Sequence, residues 1–299
     1  MIVIHDKKIL INDAIVTIVR DDLYPYLYGG NKARKATYYK SYMLENGYDS
    51  IVTTGGIQSN HCRAMALMCA EEGWKCHIVF HGSKERFVNE NGNNRITQLA
   101  GASCQFVDVH EIADAMDAAI SKYRELGMNP LYITGGGHDL PGGLAYVDAV
   151  SDLKEYMSST DLTADYIFLA SGTGSTQAGI IVGLEKNNLK VTTVGISVAR
   201  KSSMAIKIVS SFCQNLRKHL DTNNQSEIHV LDDYLCGGYE FSSIQLDDSI
   251  QEIIRRTGII FDSTYSGKAF YGMILEIGKK KISGNVIFWH TGGLFNFLK

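Results

Sequence analysis

A chain of 299 residues, 45% hydrophobic and 20% charged, is long enough to bury one or two cores and has an ordinary globular make-up. A formal net charge of −3, with no Lys/Arg block, excludes the basic footprint of a nucleic-acid-binding protein. No apolar run has membrane-spanning length, the first residues lack the architecture of a signal peptide, and the six cysteines form no C-x-x-C pair, so a cytoplasmic protein with reduced thiols is expected.

In chain order, residues 14–19 read as a strand, and Gly29-Gly30-Asn31-Lys32-Ala33-Arg34-Lys35 follows. The glycine pair permits a tight turn, Asn31 is placed to cap a helix over 33–45, and Lys32 falls on its first turn. There the positive end of the helix dipole, with Arg34 and Lys35 close by, favours an uncharged amine, which an imine-forming lysine requires. Taken alone, these seven residues also describe a solvated basic helix start. Next come a strand at 49–54, a helix at 60–72 and a strand at 76–80, which make one βαβ unit. An Asn-rich polar segment (Asn89, Asn91, Asn93, Asn94) leads to a short helix and a strand at 104–109. A helix at 111–126, a strand at 131–134 and a helix from 141 toward 157 complete this part. The alternation then repeats: strands at 165–170, 191–198, 228–231, 259–261 and 286–290, with helices at 177–185, 202–220 and 248–257. Strand and helix alternate throughout, which defines a doubly wound α/β protein whose two lobes share a cleft.

Ligands of open α/β sheets bind beyond the carboxyl ends of the strands, and glycine-bearing segments lie there. Gly172-Thr173-Gly174-Ser175-Thr176 joins a strand to a helix and offers amides and hydroxyls to an anion, as a phosphate cradle does. It lacks the Gly-Lys-Ser/Thr of a nucleotide loop and the spacing of a dinucleotide fingerprint; close helix-on-sheet packing also demands glycine. Ser59, Asn60 and His61 stand at another helix start, either capping it or holding a polar ligand. None of the nine histidines has a partner at metal-ligand spacing, so no metal is expected. Tyr265 and Tyr239 either pack or give phenols to the cleft. His138 and His290 read as structural. A lysine at a helix start and a phosphate cradle, without nucleotide motifs, point to pyridoxal phosphate.

At this point the segments 29–35, Gly56-Ile57-Gln58-Ser59-Asn60-His61, Thr173-Gly174-Ser175-Thr176-Gln177-Ala178-Gly179 and Tyr265-Ser266-Gly267-Lys268 resemble the 1-aminocyclopropane-1-carboxylate deaminase/D-cysteine desulfhydrase family. The resemblance implies fold type II: two open, twisted, mainly parallel sheets with helices on both faces, and the cofactor in the cleft between two domains. It implies a large domain of 1–37 plus 149–299, a small domain of 38–148, and a homodimer. It makes Lys32 the Schiff-base lysine and lets Lys35 help hold the phosphate with Thr173, Gly174, Ser175 and Thr176. Asn60 would meet the cofactor's 3′-oxygen, Ser59 and Tyr265 would line the substrate side, and Tyr239 is a looser match. Ser266 stands where the deaminase branch has an acid facing the pyridine nitrogen; a hydroxyl there makes a milder electron sink, suited to expelling a good leaving group. His61 follows the desulfhydrase side, while Ser175 and the 137–143 segment lean to the deaminases. The expected activity is β-elimination from a small amino acid to a 2-oxo acid and ammonia, with Ser59, Asn60 and His61 on the carboxylate. Ring opening and β-replacement are the alternatives within this cofactor class; a non-catalytic phosphate-ligand binder or a dinucleotide enzyme is the rival outside it.

Overall fold

The computed structural model describes residues 1–5, 7–279 and 282–298. Two sheets organise it. The larger contains β1 (Ile9–Ile11), β2 (Ala14–Arg20), β7 (Tyr166–Ser171), β8 (Thr192–Ser197), β9 (His229–Leu231) and β10 (Gly284–His290), in the spatial order β1-β2-β10-β7-β8-β9. Only β1 runs antiparallel. β10 is its spine. Phe288 and Trp289 are both fully buried and, being successive strand residues, enter opposite layers. Phe288 packs with Phe261 and Phe270, whereas Trp289 packs with Tyr146. The smaller sheet, β5-β4-β3-β6, is all parallel and holds β3 (Ser50–Gly56), β4 (Lys75–His81), β5 (Ser103–Val107) and β6 (Pro130–Ile133).

Each sheet has helices on both faces. On the smaller one, α1 (Asn31–Asn46) and α2 (Asn60–Glu72) bury Met43 and Met65 with Ile51 and Phe80; across the sheet, α5 (Ile112–Glu125) packs Met116 and Ile120 on Val52 and Val79. Each such side chain stabilises by about 1.5–3 kcal/mol through removal from water. α6 (Leu140–Ser159) and α7 (Ser175–Lys186) cover one face of the larger sheet, with α8 (Ser202–Leu220) beyond them. α9 (Ile244–Thr257) and α10 (Ser266–Gly278) cover the other. The expected boundaries at 37/38 and 148/149 fall inside α1 and α6, so the chain passes between the sheets on continuous helices.

Several sequence expectations need correction. Residues 259–261 form no strand: both sides of β10 are taken by β2 and β7, so this segment finds no ladder. Ile259 and Phe261 are buried, and a side chain, His290, holds the Ile260 carbonyl (Nε2–O 2.9 Å). The Asn-rich segment is not simply a polar loop. Asn93 and Asn94 open α4 (Asn93–Leu99), just after α3 (Lys84–Asn89), and both are fully buried because their amides are saturated by hydrogen bonds. Beyond the last strand lies α11 (Leu294–Phe297), which has no periodic apolar signal.

Candidate active site

The carboxyl ends of strands from both sheets open into one cavity of about 620 Å³, within the usual range for small-molecule sites. Lys32, Asn60, Thr173, Thr176, Tyr239 and Tyr265 all line it. The lysine and the hydroxyl-bearing turn therefore face the same space.

Glycines set the start of α1. Gly29 (φ 76°) and Gly30 (φ 86°) have left-handed backbone, and a Cβ on Gly29 would overlap the Asp22 carbonyl. Gly30, not Asn31, is the N-cap; Asn31 is the first helical residue and donates instead to Thr176 Oγ1 (3.1 Å), tying α1 to the phosphate turn. Of the three basic residues, Arg34 leaves the site. It pairs with buried Asp21 (Nε 3.0 Å, Nη2 2.6 Å) and stacks on Tyr24. Lys32 Nζ donates to Gly136 O (2.8 Å), and burial lowers its pKa to about 8. Lys35, fully buried behind the wall, donates to Ser175 Oγ at 2.6 Å. Burial and the nearby Lys32 push its pKa well below the usual lysine value.

α7 begins at Ser175 with Gly174 (φ 91°) as N-cap and no side-chain cap, so its first-turn amides are offered to an anion. Ser175 itself is fully buried, bridging Lys35 and the Gly137 carbonyl. Arg200, not singled out from the sequence, also lines the cavity and donates to Gly172 O at 2.5 Å, adding positive charge to the cradle. His138 packs on Phe212; burial and the surrounding cations lower its pKa to about 4, so it is neutral.

Ser59 caps α2 by accepting from Cys62 N (3.2 Å), which leaves its hydroxyl proton to donate elsewhere. Asn60 donates to Asn296 Oδ1. His61 offers something different from the carboxylate grip expected of it. Thr53 donates its hydroxyl proton to Ile133 O (2.9 Å), so His61 Nε2–H donates to Thr53 (2.8 Å) and Nδ1 keeps a bare lone pair. Burial and the two lysines push its pKa down, keeping it neutral. Nδ1 is buried without a partner, an acceptor that repels a carboxylate.

On the opposite wall the Tyr239 and Tyr265 hydroxyls lie 2.5 Å apart. Ser266 sits behind this wall: its hydroxyl donates to Asp262 Oδ1 (2.7 Å) and accepts from Asp262 N (3.1 Å). Asp262, also missed from the sequence, accepts the amides of Thr264, Tyr265 and Ser266 and so fixes the start of α10. Burial raises its pKa.

These groups fit a phosphorylated aldehyde: uncapped helix amides, two hydroxyls, buried Lys35 and half-buried Arg200 for the phosphate, and a lysine of depressed pKa for the aldehyde. Fold and site thus define an α/β enzyme that carries its cofactor between two sheets. The chain belongs to the family of pyridoxal-phosphate dependent enzymes, whose model matches residues 7–292. It is a fold type II enzyme that uses pyridoxal phosphate. Among solved structures it is similar to an ACC deaminase homologue, at 29% identity over 95% of this chain and 86% of that one, with a TM-score of 0.88. It shares its fold with a hydrogen sulfide-producing enzyme from Fusobacterium nucleatum (14% identity, 98% and 92% covered, TM-score 0.68). A threonine deaminase isoform from Solanum lycopersicum has the same fold (13% identity, 94% and 75% covered, TM-score 0.64). Among the described residues no helix is long and apolar enough to cross a membrane.

Proposed function

We propose that this enzyme is a lyase of small amino acids, removing the α-proton and eliminating a β-substituent to yield a 2-oxo acid and ammonia, as D-cysteine desulfhydrases do. The observation that carries the reading is the pairing of Ser266 with Asp262: the hydroxyl is engaged on both sides, and the carboxylate is turned into the α10 start. No acid is thereby offered by this pair to a pyridine nitrogen, which favours departure of a stable anion such as a thiolate over opening of a carbon ring.

Pyridoxal phosphate, when bound, supplies the electron sink for the pair left on Cα. Lys32 would hold the aldehyde at rest and, once the substrate amine has replaced it there, would take the α-proton on its freed Nζ; the pKa of about 8 of the free amine is close to that of a useful base. Thr173, Gly174 and Thr176 would hold the phosphate, with Lys35 adding charge from behind through Ser175. Asn60 would give its remaining amide hydrogen to the cofactor's phenolic oxygen, and the Ser59 hydroxyl with the main-chain N–H of Asn60 would orient the substrate carboxylate. The Tyr239–Tyr265 hydroxyl pair passes a proton to the leaving group. A large domain of 1–37 with 149–299, a small domain of 38–148, a homodimer and a cytoplasmic setting belong to the same reading.

The test is to supply D-cysteine, L-cysteine and 1-aminocyclopropane-1-carboxylate separately and measure the 2-oxo acid. Turnover of a cysteine without added nucleophile is expected. The similarity to an ACC deaminase homologue makes the cyclopropane substrate the rival. Faster turnover of that substrate, or product only with an added nucleophile, overturns elimination.

A further inference from the structure

We propose that Asn296, in the short helix after the last strand, is a positioning residue that decides which end of the Asn60 amide is presented to Asn296 and which atoms remain for the cofactor. The inference rests on the reading that Asn60 donates to the cofactor's phenolic oxygen.

An amide side chain has a donor end and an acceptor end of nearly the same shape, so its direction is set by partners of fixed polarity. Two such partners occur here. The Gln58 carbonyl only accepts, and it takes Nδ2 of Asn296 (3.1 Å) and Nδ2 of Asn93 (3.2 Å). Arg63 only donates, and its Nε meets Asn93 Oδ1 at 2.9 Å. Asn93 therefore turns Nδ2 to Asn296 (3.1 Å), and Asn296 must answer with Oδ1. That same Oδ1 receives Asn60 Nδ2 at 2.5 Å. The Asn60 amide can meet it only with its NH₂ group, of which one hydrogen is used and one remains. A flipped Asn60 would set two acceptors against each other.

The network is buried and built. Asn93 is fully buried, Asn296 is 2% exposed, and Arg63 lies over the Phe295 ring at 4.8 Å. It also crosses the cleft: Asn296 follows β10 of the larger sheet, while Gln58, Asn60 and Asn93 belong to the elements around the smaller one. Asn296 thus makes the direction of Asn60 depend on how the C-terminal segment seats against α2 and α4. Buried polar networks act in this way when every member is satisfied.

The experiment compares Asn296→Leu, Asn296→Asp and Asn60→Ala by titrating cofactor-free protein with pyridoxal phosphate and recording the absorbance of the bound cofactor at one pH. Asn296→Leu leaves Asn60 without its acceptor; cofactor affinity is expected to fall about tenfold, the scale of one hydrogen bond to a charged group. The long-wavelength band of the phenolate-bearing form should fall relative to the short-wavelength band, as in Asn60→Ala. Asn296→Asp keeps an acceptor for Asn60 while setting an oxygen against the Gln58 carbonyl. It should lose thermal stability yet keep the native band ratio, a result that a purely structural role does not give. Should Asn296→Leu not fold, Asn296→Ala, which also removes the acceptor, serves for the same comparison. A native spectrum in Asn296→Leu beside an altered one in Asn60→Ala overturns the role of Asn296 alone. A native spectrum in Asn60→Ala overturns the reading of Asn60, and this inference with it.

Discussion

Lys32 and Lys35, one helical turn apart, direct their amines at the same backbone oxygen, Gly136 O, at 2.8 and 3.4 Å. Both amines are poorly solvated, so both pKa values move down: burial alone lowers that of Lys32, while for Lys35 the charge of Lys32 adds to the effect of burial. The consequence for Lys32 is a measurable reactivity. At pH 7 a lysine of pKa 10.5 is uncharged in about 0.03% of molecules, and one of pKa about 8 in about 10%, roughly a 300-fold gain from the difference in pKa. Raising the pH removes the proton, so capture of pyridoxal phosphate by cofactor-free protein should speed up to about pH 8 and then level off. Stopped-flow absorbance between pH 6 and 10 checks this, and a rate still climbing steeply at pH 10 contradicts it. Lys32→Ala should show no such capture.

Lys35 gives the opposite trade. In the unfolded chain it keeps its proton up to about pH 10.5, whereas the folded, cofactor-free protein releases it well below that value. The unfolded state therefore binds more protons, and the resulting penalty on folding is present at pH 7 and disappears as pH rises toward 10.5. Lys35→Met should raise the melting temperature of cofactor-free protein at pH 7, with a smaller gain at pH 10. The same change should weaken cofactor binding by about 10- to 100-fold through the lost charge near the phosphate. Calorimetry of the cofactor-free form and a cofactor titration test both halves. A variant that loses stability and keeps its affinity refutes the assignment.

Much of this site was legible because its signals are local. Gly29, Gly30 and the 172–176 turn announce backbone that side chains cannot follow, and Lys32 lies in the same short stretch as its glycines. What escaped is long-range. Asn31 was a reasonable cap by type, yet Thr176, 145 positions away, claims its amide. Asn93 and Asn94 carry the composition of a loop, and their burial follows only once Gln58, Arg63 and Asn296 surround them. The run at 259–261 has the apolar pattern of a strand but meets a sheet with no vacant edge beside it, a fact of topology rather than of residue type. His61 was correctly placed on the cavity; its polarity depends on Thr53 and Ile133, which no spacing reveals.

The tyrosine pair should act as one unit. With hydroxyls 2.5 Å apart, only one proton lies between them, and burial holds both phenols above their usual range, Tyr239 at about 12. Replacing either by Phe breaks the same relay. Tyr239→Phe and Tyr265→Phe should each lower turnover by about 10²- to 10⁴-fold, the range of a general acid–base group. The double variant should be within a few-fold of the weaker single one, since groups acting together are not additive. Steady-state kinetics of the three variants decides the matter; a double variant as slow as the product of the two single effects rules out a shared proton.

Asp21 anchors the lysine from the far side of the helix. Its carboxylate receives Arg34 on Oδ1, and Tyr146 and Trp289 Nε1 (3.0 Å) on Oδ2, while its carbonyl takes the Gly30 amide at 2.7 Å. One residue thus joins β10, α6 and the entry to α1, and it is 2% exposed. Asp21→Ala leaves the buried Arg34 guanidinium with a more distant, part-exposed carboxylate, Asp152 at 3.8 Å, in place of its close partner, so the cost should approach that of a broken buried pair, about 3–5 kcal/mol. Asp21→Ala with Arg34→Leu removes both charges and should recover a substantial part of that loss. Denaturant titrations of the single and double variants measure it. Because Gly30 is held by the Asp21 backbone and not by its side chain, the double variant should still capture the cofactor through Lys32. Failure of capture in a folded double variant would show that the ion pair itself, and not the backbone contact, fixes the start of the helix.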